Sequence, residues 1–249
     1  MNPETLIWLA DGSPYNPRFG DVYRTRAGGW AQAQAVFLNG CGLPQAWRGY
    51  PSFRILETGF GLGVNFLATA VAWLGDPARS PELHFVSVEA YPVDGATLQE
   101  SARRLDMAPE TASGQNFARV FTALLAAWPS RQTGWQHWRL LPGLHLHLGW
   151  ATAQKALITP MGPVDAVYLD GFSPRRNPDA WDPPTLAAVA AHCRPGTRLA
   201  SWCVAGLVRT RLAELGFTVQ KMPGLPPKKE RLEATFGGST EPLKRALYT

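Results

Sequence analysis

Residues 53–74 read FRILETGFGLGVNFLATAVAWL. Residues 53–57 form a short apolar run of strand type, and residues 64–74 an uncharged run with the length of a buried helix. Between them lies Glu57-Thr58-Gly59-Phe60-Gly61-Leu62-Gly63. Glycines there let the backbone turn tightly and approach a ligand closely. A strand, a glycine turn and a helix make the first unit of an open α/β sheet, whose ligand sits beyond the carboxyl ends of the strands. The spacing is GxGxG and not the GxGxxG of a dinucleotide fingerprint, because Val64 stands three residues after Gly61. Glu57, just before the turn, is unfavourable beside a pyrophosphate. It suits a ligand carrying an amino group or a sulfonium, such as S-adenosylmethionine. The first candidate cofactor residues are therefore Glu57, Gly59, Phe60, Gly61, Gly63 and Asn65.

Outward from this unit, strands and helices alternate. Strands are expected at 83–89, 144–148, 164–170 and 197–202, and helices at 94–105, around 118–128, at 184–193 and at 205–215. Two last strands, 217–221 and 232–236, are too close for a crossover helix and should pair as an antiparallel hairpin. The fold class is α/β, a mostly parallel Rossmann-like sheet with a terminal antiparallel hairpin, the pattern of class I S-adenosylmethionine-dependent methyltransferases. The first fifty residues carry only weak strand signals (LIWLAD, AQAVFLNG). The expected organisation is an N-terminal extension packed on the core (1–50), a methyltransferase domain (51–240) and a tail (241–249).

Composition sets outer limits. A chain of 249 residues with 45% hydrophobic and 17% charged residues can bury one sizeable core and is not a disordered chain. The net charge of +5 is compatible with a polyanionic partner. Its three cysteines, Cys41, Cys193 and Cys203, contain no CxxC, which argues for a reducing compartment and against a disulfide framework or structural zinc. The start lacks a basic n-region, and residues 64–74 are too short to span a bilayer. A cytoplasmic protein without a membrane partner is expected. His145 and His147 lie two apart on one strand face, but no third ligand is evident nearby, so no metal is expected.

Two further strand ends complete the candidate cofactor site. Glu89 can accept both ribose hydroxyl hydrogens, a device shared with NAD enzymes. Trp150-Ala151 follows the third strand, where Trp150 is either an adenine-stacking residue or an ordinary core tryptophan. The chemistry-bearing stretch is residues 168–181, YLDGFSPRRNPDAW. Asp170 ends the fourth strand, where reacting groups gather. Phe172 offers a ring for a base, Pro174 and Asn177 stiffen the loop, and Arg175 and Arg176 can meet phosphates. Lys221, Lys228, Lys229 and Arg231, on or beside the last hairpin turn, extend a candidate phosphate track. Phe19 and Tyr23 line the active-site mouth or pack in the core.

Residues 56–67, 86–92, 168–181 and 204–221 together resemble the methyltransferase domain of the MnmC family, bacterial enzymes of tRNA 5-methylaminomethyl-2-thiouridine biosynthesis. Residues 19–40 resemble the opening segment of that family, with Gln32 where an acidic residue is usual. The resemblance implies methylation of the aminomethyl group of the wobble uridine of tRNA, with S-adenosylmethionine as cofactor and Asp170 orienting the amine and helping to remove its proton. It also implies the stand-alone form, with neither FAD nor metal, working after a separate enzyme that supplies the aminomethyl uridine. The competing readings are an aminopropyl transferase, an NAD-dependent oxidoreductase and a non-catalytic RNA-binding module.

Overall fold

The computed structural model describes residues 4–24, 28–128, 133–226 and 228–238. The expected tail, 241–249, lies outside the described residues. At the N-terminus β1 (Ile7–Trp8), β2 (Pro14–Asn16) and β3 (Asp21–Val22) form a small antiparallel sheet, followed by one α-helical turn, α1 (Gly29–Gln32), that continues as a π-helical segment (Ala33–Leu38). The main chain path is then β4 (Ser52–Glu57), α2 (Val64–Gly75), β5 (Glu82–Val88), α3 (Gly95–Arg103), α4 (Ala112–Ala127), β6 (Gly134–Leu141) and β7 (Leu144–Trp150). It ends with α5 (Ala153–Ala156), β8 (Val164–Tyr168), α6 (Pro183–Ala191), β9 (Cys193–Ser201), α7 (Gly206–Glu214), β10 (Phe217–Pro223) and β11 (Glu230–Phe236).

Eight strands form one sheet in the order β10-β11-β9-β8-β4-β5-β7-β6. The five middle strands are parallel. The expected terminal hairpin, β10–β11, is antiparallel, and β11 inserts antiparallel beside β9. One face buries Phe66, Trp73, Phe85, Val120 and Leu146 beneath α2 and α4. The other buries Leu56, Val167, Leu186, Leu199 and Val208 beneath α6 and α7. Central strands covered on both faces read as continuous apolar runs, which is why β4 and β8 were legible.

Two elements differ from the sequence reading. Residues 33–38, read as strand-like, are helical, because Ala33, Val36 and Phe37 recur at helical spacing and are all buried. Strand β6 was not foreseen. It is an edge strand of mixed aromatic and polar residues, largely half-buried, that leads into β7 through the Pro142-Gly143 turn.

The N-terminal segment is fastened to the sheet by buried groups. Phe37 meets the Tyr168 ring at 5.2 Å, and Gly40 lies where a Cβ would come within 2.8 Å of the Ala200 Cβ. Past the end of α2, Asp76 accepts from the fully buried Trp47 Nε1 (2.8 Å), from Arg48 Nε (2.9 Å) and from Ala78 N (3.0 Å). These donors, Arg48 foremost, lower the Asp76 carboxyl to about 2. Replacing Asp76 by alanine strands the Trp47 indole N–H without an acceptor. We expect a loss of about 1–3 kcal/mol in urea denaturation, and an unchanged midpoint would refute this fastening.

Candidate cofactor and active site

The turn after β4 is built on left-handed glycines. Gly61 has φ +52°, where a Cβ would press within 3.3 Å of the Tyr23 ring. Gly63, at φ +70°, caps α2 against the Phe60 ring. The turn leaves backbone exposed to a cavity of about 730 Å³ at the carboxyl ends of the parallel strands. That is the size range of cofactor pockets.

Three carboxyl groups surround the turn. Glu57, at the end of β4, is 1% exposed. It accepts from Asn65 Nδ2 (3.0 Å) and from Ser87 Oγ (2.7 Å). The same Asn65 Nδ2 donates to Asp170 Oδ2 (2.8 Å), while Gly171 N donates to Asp170 Oδ1 (2.8 Å). Thr58 Oγ1 donates to the Asp170 carbonyl (2.7 Å) and accepts from Asp170 N (3.0 Å), which zips the ends of β4 and β8 together. Glu89 accepts from Gly61 N (2.7 Å) and Tyr91 N (2.7 Å). Burial is the first cause raising the pKa of all three, and it carries Glu57 to about 8 against the opposing bonds of Ser87 and Asn65.

Of the residues expected to hold the cofactor, Gly59, Phe60, Gly61, Asn65, Glu89 and Ala151 line the cavity. Glu57 and Gly63 lie behind it: Glu57 is bonded to Asn65, which is in the lining, and burial raises its carboxyl to about 8. Trp150 is not a wall of the cavity either. Alternation along β7 puts it on the same face as Leu146 and Leu148, where it is 4% exposed, packed edge-on to Trp128 at 5.3 Å and bonded through Nε1 to Gln136 Oε1 (2.8 Å). Of the two readings of Trp150, adenine stacking and core packing, the position fits the core tryptophan.

Asp170 and the expected substrate residues Phe172, Pro174, Asn177, Lys228 and Lys229 line the same cavity. Phe172 has one ring face covered by Phe19 (4.7 Å, stacked), with the edge of Tyr23 at 4.9 Å. Asp21 Oδ2 accepts from Ser173 N (3.1 Å), and Asn16 Nδ2 donates to the Tyr23 hydroxyl (3.0 Å). Asp21 and Thr58 were not singled out from the sequence, since only the packing of the N-terminal sheet and the β4–β8 register brings them in. Arg175 and Arg176 are exposed and lie outside the cavity lining. Arg231 is tied to the Pro223 carbonyl (2.7 Å) and to Glu233 (2.6 Å), and Lys221 to Glu230 (2.7 Å). The expected phosphate track therefore keeps Lys228 and Lys229 at the cavity. Lys228 Nζ sits 5.1 Å over the Trp202 ring.

The proton on Glu57 gives a sign for stability. The folded carboxyl titrates near 8 against an ordinary 4.5, so the native state favours the protonated form. Its contribution is complete below the unfolded value and fades as pH rises through the folded one. Between pH 5 and pH 8 the wild-type chain should lose stability relative to Glu57→Gln, read as diverging urea midpoints. A pH-independent difference would sink this reading.

Comparisons with known proteins agree with the geometry. A family described as S-adenosyl-L-methionine-dependent methyltransferase matches residues 115–236. Proteins named "tRNA 5-methylaminomethyl-2-thiouridine biosynthesis bifunctional protein MnmC" are 49% identical in Paracidovorax citrulli and 46% identical in Polaromonas naphthalenivorans, over 96% and 98% of this chain. The chain spans 36% and 38% of the length of those relatives. A crystal structure of MNMC2 from Aquifex aeolicus shares the fold, with a TM-score of 0.71 at 22% identity, over all of this chain and 77% of that one. Residues 115–236, which carry Asp170 and the terminal hairpin, thus match the S-adenosyl-L-methionine-dependent methyltransferase family, and nearly the whole chain is similar to part of the proteins named MnmC.

Proposed function

We propose that this chain methylates the 5-aminomethyl group of the wobble uridine in tRNA, giving 5-methylaminomethyl-2-thiouridine. The observation that carries the reading is Asp170, a carboxylate held by Asn65 and Gly171 at the wall of the cofactor cavity, in a chain 49% identical to a relative named for that nucleoside. The residues fit the cofactor: backbone bared by glycine at 59 and 61, and Glu89 with lone pairs beyond the two that Gly61 and Tyr91 use, available to ribose hydroxyls. S-Adenosylmethionine, when bound, supplies the methyl group, its S–CH3 bond breaking as the N–CH3 bond forms and S-adenosylhomocysteine leaving.

The protein's own part is placement. Asp170 has each oxygen anchored by one donor, so its remaining lone pairs point at a fixed place where a substrate amine can be held in line. Orientation of this kind supplies up to roughly 7–11 kcal/mol in ideal cases. Burial raises the Asp170 pKa, which makes it a better acceptor for the proton the amine must lose. Phe172 and its aromatic neighbours wall the nucleoside side, and Lys228 and Lys229 meet phosphate, with Arg175 and Arg176 on the exposed loop nearby. The reaction balances with amine and sulfonium alone, so it asks for neither flavin nor metal. A preceding step must expose the free amine. No helix among the described residues is long and apolar enough to cross a membrane, and a tRNA substrate places the work in the cytoplasm.

The test is transfer of labelled methyl from S-adenosylmethionine to tRNA from a strain lacking this wobble methylation, followed by nucleoside mass analysis. We expect the methylaminomethyl nucleoside, with transfer weakening steeply as salt rises. Cofactor binding without transfer would overturn the substrate. Asp170→Asn should lower kcat by about 10²–10⁴-fold at unchanged cofactor affinity. It should also remove the acid limb of the pH profile that the raised Asp170 carboxyl imposes. An unchanged rate would overturn its assignment.

A further inference from the structure

Four of the chain's five histidines meet on one face of the sheet, at the edge formed by β5, β7 and β6. His84 on β5 is the register partner of His145 on β7, and His147 on β7 is the partner of His137 on β6. The rings of His84 and His145 stack at 4.5 Å. Glu82, two residues before His84 on the same face, reaches His145 Nε2 at 2.6 Å. Ligand atoms of Glu82, His84 and His145 all lie within 4.8 Å of one another. The sequence offered only His145 and His147. The missing donors come from the neighbouring strand, which only the sheet register brings alongside.

We propose that Glu82, His84 and His145 form a site for a divalent transition-metal ion that clips β5 to β7. Two imidazoles and a carboxylate are a zinc-type donor set. Tetrahedral coordination with bonds of about 2.0–2.1 Å needs donor atoms about 3.3 Å apart, so the present spacing requires only side-chain rotation. The ring nitrogens are wired for it. His84 Nδ1 is engaged by His147 Nε2 (3.1 Å), and His147 Nδ1 by His137 Nδ1 (2.6 Å). One consistent set of neutral tautomers runs through this chain, with His84 donating to His147 and His147 to His137. It leaves His84 Nε2 as the free lone pair, and such hydrogen bonding of the non-ligating nitrogen orients metal-binding histidines. The half-exposed Glu82 and the His145 ring, 22% exposed, leave a path from solvent. Glu82 and Glu89 are seven steps apart along and just past β5, about 23 Å at strand rise. The ion would therefore brace the sheet edge and take no part in methyl transfer.

The experiment uses the tag-free full chain, stripped with chelator and titrated with Zn2+ by calorimetry, with histidine ring nitrogens followed by NMR. We expect saturable binding of one ion per chain and a rise in Tm. Displacement by Cu2+ but not by excess Mg2+ should follow from nitrogen ligation. The His84 and His145 signals should shift, while that of His192, buried elsewhere and bonded to the Leu157 carbonyl, stays put. Glu82→Gln and His84→Gln should each weaken Zn2+ at least about tenfold. Absence of saturable binding, binding indifferent to both substitutions, or ring shifts confined to His137 and His147 would each overturn the proposal. The NMR readout on the unsubstituted chain needs no variant to fold.

Discussion

One side-chain amide holds the centre of this molecule together. Asn65 Nδ2 carries two hydrogens, and each is given to a different carboxyl, the buried Glu57 of β4 and the partly buried Asp170 just past β8. Two carboxylates at such range would repel strongly in a poorly solvated place. The arrangement survives because the shared donor lies between them and because Glu57 keeps its proton at neutral pH. Chain order reverses where β4 meets β8, and the crevice that opens there belongs to any ligand of such a sheet. The amide sits at that reversal, so the orientation of Asp170 depends on α2 starting where Gly63 lets it start.

The parallel sheet supplies the floor of the cavity but not its outer wall. That wall comes from the N-terminal sheet, through Phe19 stacked on Phe172, Tyr23 at its edge, and Asp21 holding Ser173 N. Asn16 in turn fixes the Tyr23 hydroxyl. The loop after β8 also ties itself: the Trp181 indole donates to the Phe172 carbonyl, and Arg176 N and Asn177 N donate to the Ser173 carbonyl. Locking it from a distant segment fixes Phe172 before any ligand arrives, which lowers the ordering cost on binding.

Much of this was legible because burial on both faces leaves a plain mark. β4, β5 and β8 are short, largely apolar or alternating segments, the first ending in Glu57 and the others followed closely by Glu89 and Asp170, and the glycine spacing placed the turn. The failures share a cause: sequence shows which residues alternate but not which face meets what. Trp150 stood at the right strand end and points into the core. Lys221 is neutralised by Glu230 across the hairpin, which depends on register. The pairing of Arg231 is visible in the sequence, since Glu233 is two residues along the same strand face. β6 was missed because an edge strand half-open to water carries no apolar signature, and the four-histidine cluster was missed with it.

The charges that remain are sorted by depth. Asp170 and Glu89 lie in the cavity wall, with their carboxyls bonded to backbone and amide donors. Lys228, Lys229, Arg175 and Arg176 are exposed on two loops, those following β8 and β10. Lys221 and Arg231 are paired with acidic neighbours, which leaves the candidate phosphate-binding charges on those two loops. At about 0.1 M salt, exposed charges act over roughly 10 Å, so phosphates are drawn to the loops and not to the floor. A cationic group, whether sulfonium or protonated amine, gains most at the carboxyls inside. A polyanion carrying an amine is the ligand for which both preferences act in the same direction, backbone held outside and amine held within. A simple dinucleotide, whose pyrophosphate would approach the carboxyls of Glu89 and Asp170 in the cavity wall, meets the opposite arrangement.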